Sequence, residues 1–202
     1  AAHGYLISAF LNPRANQRSD RWGGSLENRA RLLLEVLKAI RTHTGADFTI
    51  AVKLNSADFQ KGGFNFSDST RVAQWLSEGG IDLIEISGGN YEQPRMMDME
   101  GMEKPETSAL PASTAAREAY FVDFAIEMQR TVSVPLMVTG GFRSAAAMAS
   151  AVADAGVALI GLGRPLCVDT RCVEQLLSGS RQTLDRWEQK LQLGPGWLGP
   201  HS

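Results

Sequence analysis

Apolar residues Leu26, Ala30, Leu33, Leu34, Leu37 and Ile40 recur at helical spacing. Ser25 stands before them as an N-cap and Gly45 after them as a stop, so the pattern predicts an amphipathic helix over residues 26–40. Residues 48–54 are mostly apolar with one charge, Lys53, near the end, the pattern of a short strand buried on both faces. A helix over 67–78, stopped by Gly79 and Gly80, and a strand over 81–87 come next. Residues 88–113 read as a long loop, and a helix over 115–130 would bury Phe121, Val122, Ala125 and Met128. A strand over 135–139, an alanine-rich helix over 144–155 ending at Gly156, a strand over 157–162 and a helix after Pro165 complete the series.

Strands alternating with helices and joined without hairpin signals imply parallel pairing, which leaves a doubly wound sheet or a closed barrel. Four strands cannot close a barrel, and Ala1 and Ala2 read as the tail of another strand, so the chain is expected to begin within a domain. With 202 residues, 44% of them hydrophobic, there is enough apolar material for a sizeable core. A net charge of -2 without a basic cluster argues against nucleic acid or an anionic membrane surface as partner and favours a small-molecule substrate. Cys167 and Cys172 make neither a disulfide framework nor a zinc or iron-sulfur set, which fits a reducing cytoplasm.

In α/β barrels the catalytic groups cluster where strands end. Here those residues are His3 and Tyr5, Lys53 and Asn55, Ser87 to Gly89, Gly140 and Gly141, then Gly163 and Arg164. Gly140 and Gly141 lead into a helix opening near Ser144, whose unblocked amides and positive dipole end, together with the Arg164 fork, suit a phosphate. The same glycines could simply permit a tight turn while Arg164 pairs with a surface carboxylate. Lys53, at the end of a buried strand, requires either a carboxylate such as Glu85 or an electron-rich cofactor. His3 and Tyr5 are two apart, so an extended segment would point both to one side, a donor for oxygen beside a phenol that can deliver a proton. Packing roles for both are the alternative. The loop over 88–113 carries Tyr91, Met96, Met97, Met99 and Met102 and reads either as a border of an acceptor pocket or as a connector.

The runs Ala1 to Ile7, Phe10 to Pro13, Asn16, Arg18, Asp20 and Trp22 to Arg31 together strongly resemble the old yellow enzyme family. The likeness continues through Val52 to Asn55, Glu85 to Gly89, Thr139 to Arg143 and Gly161 to Pro165. The resemblance implies a TIM-type (β/α)8 barrel of which this chain holds about the C-terminal half: residues 1–202 as one partial FMN-binding domain, from the end of the fourth strand through the eighth, without the N-terminal strands and the closing helix. It also implies noncovalent FMN, NADH or NADPH as reductant, and an electron-poor alkene or similar acceptor. On the same ground His3 is the second of two donors gripping the substrate's carbonyl oxygen, and Tyr5 the proton donor. Lys53 is the basic residue at the flavin's pyrimidine edge, and Gly141, Gly163 and Arg164 match the phosphate site, to which the strand-end reading adds Gly140. The family's first donor, a histidine, would fall just before Ala1, and the two cysteines do not reproduce the cysteine-rich segment of cluster-bearing relatives. Two other readings stay open: a phosphate-binding aldolase or isomerase using Lys53, and a half-barrel inactive without its complement. The acceptor, the choice of nicotinamide and homo-oligomerisation are not fixed by sequence.

Overall fold

The computed structural model describes residues 1–88 and 121–185. In chain order the elements are α1 (Leu6–Leu11), α2 (Leu26–Thr44), β1 (Ala51–Asn55), α3 (Phe66–Glu78), β2 (Leu83–Ser87), α4 (Val122–Gln129), β3 (Leu136–Thr139), α5 (Ala145–Ala153), β4 (Leu159–Gly161), α6 (Arg164–Val168) and α7 (Cys172–Leu177).

Caps account for the best-matched helices. The Ser25 side chain accepts from the Asn28 amide at 3.3 Å, and Gly45 ends α2 at φ 82°, a conformation that costs glycine little. The helix runs past the expected residue 40 because its last turn is held by polar contacts that hydrophobic spacing does not register. Arg41 there bonds the carbonyls of Gly45, Ala46, Phe48 and Gly80 and meets Asp82 at 2.6 Å. Asn65 caps α3 through the Asp68 amide at 2.9 Å. The segment after β4 breaks into two short helices rather than one, and the expected start of a helix near residue 115 lies outside the described residues.

The strands form one parallel sheet in the order β1-β2-β3-β4. A doubly wound sheet reverses its strand order at a switch point. Here neighbours in space are neighbours in the chain, the winding of a barrel wall. Leu54, Ile84, Ile86, Leu136 and Val138 turn one face into a core with Leu33, Leu37, Val72, Leu76, Ala125 and Met128. Each of these Leu, Ile, Val and Met side chains contributes about 1.5–3 kcal/mol by burial.

The expectation that the strand holding Lys53 is buried on both faces is corrected. Its alternate positions, Lys53 with Glu85, Met137 and Leu159 across the register, form the opposite face, and Leu159 is 49% exposed. Helix residues pack against the first face, so among the described residues the second lacks such a layer. Ala1 and Ala2 lead into a turn at His3 and Gly4, which have positive φ, 60° and 78°, closed by the Tyr5 amide on the Ala2 carbonyl at 3.3 Å. The Ala1 carbonyl accepts from the Asn55 amide of β1 at 3.4 Å.

Candidate active site

The C-terminal ends of β1 and β2 bring together Lys53, Asn55, Glu85 and Ser87, paired Lys53 with Glu85 and Asn55 with Ser87. The turn before α1 lays His3 across them. Its Nε2 lies 2.6 Å from the Ser87 hydroxyl, and its backbone amide donates to Asn55 Oδ1 at 3.3 Å. Burial, reinforced by the charge of Lys53 and opposed by Glu85, lowers the His3 pKa below the ordinary imidazole value. A neutral ring held by a hydroxyl is suited to hydrogen bonding a carbonyl oxygen.

Tyr5 is the N-cap residue of α1 and is 62% exposed. His3 and Tyr5 therefore do not share one side of an extended segment, as their spacing predicts, because left-handed backbone at both His3 and Gly4 separates them. Lys53 Nζ donates to Glu85 Oε1 at 2.7 Å, so of the partners weighed for it the carboxylate is present.

At the other two strand ends, Thr139 pairs with Gly161, which puts the residues after β3 beside those after β4. Gly140 and Gly141 have φ 108° and 82°, open to glycine, and Gly163 caps α6 with Arg164 as that helix's first residue. A Cβ built on Gly163 would meet nothing within 4 Å, so the backbone there faces open space. The expected unblocked amides at the start of α5 need correction. Ala145 donates to the Gln182 carbonyl at 2.8 Å and Ala147 to the Ser144 hydroxyl at 3.3 Å, because residues 182–184 pair back onto this corner. The candidate donors left at this corner are the glycine backbone and Arg164, residue types whose chemistry fits a phosphate.

Two features escaped the sequence. Asp58, 1% exposed, accepts from the Asn55 side-chain amide at 2.7 Å, and burial raises its pKa. As one polar residue in a loop it carried no periodic or motif signal. Ser87 stood among the strand-end candidates but not as the partner of His3, because that pairing needs the β1–β2 register. Gly89, Tyr91, Met96, Met97, Met99 and Met102 lie outside the described residues.

The sequence model of the NADH:flavin oxidoreductase / NADH oxidase family matches residues 1–182. An NADH-dependent flavin oxidoreductase of Hypocrea jecorina is 40% identical over 172 residues, 84% of this chain and 41% of that protein. An NADPH dehydrogenase of Halalkalibacterium halodurans is 47% identical over 88 residues, 44% of this chain and 25% of that protein. Among solved structures, a 2-naphthoyl-CoA reductase complex superposes with TM-score 0.75 at 29% identity, covering 89% of this chain and 25% of its own. The old yellow enzyme homologue from Zymomonas mobilis superposes with TM-score 0.63 at 25% identity, covering 93% and 47%. The four strands are accordingly part of a (β/α)8 barrel, and the chain spans less than half the length of these relatives. Among the described residues no helix is long and apolar enough to cross a membrane.

Proposed function

The chain belongs to the NADH:flavin oxidoreductase / NADH oxidase family, and on that premise we propose that the protein is an FMN-dependent oxidoreductase passing hydride from NADH or NADPH to an electron-poor alkene of the enone or enal kind. When bound, FMN would supply the two-electron relay between nicotinamide and acceptor. The observation that supports the reading is the alignment of the four strand ends along one sheet edge, the glycine-bearing ends after β3 and β4 beside the ends of β1 and β2, where His3 meets Ser87 and Lys53 lies on β1.

Gly140, Gly141 and Gly163 would hold the FMN phosphate through backbone N–H groups, with Arg164 as its cation. Lys53, tied to Glu85, would contribute positive charge beside the ring system. His3 would donate a hydrogen bond to the acceptor's carbonyl oxygen, polarising the conjugated double bond so that its β-carbon accepts hydride. The Ser87 hydroxyl orients that imidazole. Tyr5 would deliver a proton to the α-carbon.

The test is an FMN titration of the protein and of Arg164→Ala, followed by flavin fluorescence, with riboflavin as a ligand lacking the phosphate. Loss of one charge-assisted contact is expected to cost about 1.5–3 kcal/mol of FMN affinity. Riboflavin affinity should be unchanged. Equal FMN affinity in the two proteins would contradict the phosphate site.

A further inference from the structure

Helix α1 is only six residues long and its N-cap Tyr5 makes no side-chain capping bond, so local forces hold it weakly. His3, just before it, has φ 60°, which costs a residue with a Cβ about 1–2 kcal/mol. Something outside the segment must fix it.

We propose that Asp58 is a positioning residue that, through Asn55, ties the start of the segment from His3 to Asn12 to the C-terminal end of β1, and so sets where His3 and Tyr5 lie. The assignment of what those two residues do rests on the function proposed above; the tie itself does not. Asp58 Oδ1 accepts from Asn55 Nδ2 at 2.7 Å. That bond turns the other end of the Asn55 amide, Oδ1, toward the His3 backbone N–H at 3.3 Å. Asn55 is itself anchored, its carbonyl accepting from the buried Ser69 hydroxyl at 2.7 Å. At the far end, the Asn12 backbone N–H donates to the Ser8 carbonyl at 3.0 Å and so caps α1, while Asn12 Oδ1 accepts from the Arg14 amide at 2.7 Å. The Asp58 amide, donating to the Phe64 carbonyl at 2.9 Å, fixes the loop that presents the carboxyl.

Stability alone does not account for a carboxyl at this place. Burial disfavours its charge, and Oδ2 is buried without a hydrogen-bond partner. A neutral amide could make the Asn55 contact without that desolvation, and this difference provides the test.

Hydrogen exchange of the His3 backbone amide, resolved by NMR, would be compared in the unaltered protein, Asp58→Ala, Asp58→Asn and Met128→Ala. Met128, 1% exposed on α4, serves as a core substitution that destabilises without touching the tie. Asp58→Ala should accelerate His3 exchange about tenfold beyond the Met128→Ala control at matched stability. Asp58→Asn should stay within about threefold of the unaltered protein, because an amide oxygen can replace Oδ1. Asn55→Ala, which removes the link between Asp58 and the His3 amide, should accelerate exchange at least as much and keeps the test decisive if Asp58→Ala does not fold. In the FMN-loaded protein, Asp58→Ala should lower kcat for enone reduction about tenfold or more while leaving the KM for the nicotinamide unchanged. His3 exchange that is unchanged in Asp58→Ala or, where that variant does not fold, in Asn55→Ala, or that is matched by the Met128→Ala control, would overturn the proposal. If His3 exchange responds as expected but no enone is reduced even by the unaltered protein, the tie stands and the ene-reductase reading fails.

Discussion

At His3 burial and the nearby Lys53 charge act in the same direction, and both lower the imidazole pKa from 6.5. The unfolded chain therefore binds this proton more readily than the folded one. The stabilising contribution is full above about pH 6.5 and is lost as pH falls through the depressed folded value. Replacing Lys53 with Met should raise the His3 midpoint, read from the ring proton shifts in an NMR titration. A midpoint that stays put or falls would show that Lys53 does not act on His3. The chemistry at this residue was legible as a histidine and a tyrosine two apart, and the resemblance assigned roles to both. Their geometry was not legible, because positive φ at a non-glycine residue such as His3 depends on the Asn55 contact fifty-two positions away. Lys53 illustrates the same limit: its need for a counter-charge follows from its place in a strand, but choosing Glu85 requires the β1–β2 register.

Among the elements, α2 and α3 were readable because their signals are local, apolar spacing plus the Ser25 cap of α2 and the glycine stop of α3 at Gly79 and Gly80. Helix α1 was not readable, since six residues give too few turns for a periodic pattern and no side chain caps its start. What joins these three helices is Arg29, 7% exposed, whose guanidinium bonds the carbonyls of Leu11 and Gly24 and meets Asp68 at 3.2 Å. Arg29→Met is expected to destabilise the protein by about 3 kcal/mol, since it strips one partner from a largely buried charge pair. Urea unfolding gives the value, and a loss under about 0.5 kcal/mol, the scatter of surface substitutions, would remove Arg29 from this role.

On the scale of the molecule, consecutive strand order and an inner row of Lys53, Glu85, Met137 and Leu159 describe one arc of a barrel wall. Side-chain layers from alternate strands fill such an interior when the barrel is closed, which explains why Leu159 is half exposed in a chain that spans 41% of its Hypocrea relative. The parallel α/β class was legible from the alternation of elements and the barrel from the family resemblance, whereas the uncovered face was not, because a run of apolar residues in β1 reads the same whether one face or both are covered. The central claim, that this sheet edge serves alkene reduction, is tested most directly by Tyr5→Phe with the two half-reactions timed separately by stopped flow. Transfer from NADH or NADPH to FMN requires no proton from Tyr5 and should keep nearly its normal rate, while transfer from FMN to an enone should slow by a factor of about 100 to 10,000. An enone half-reaction at the normal rate, or equal slowing of both halves, would contradict the account.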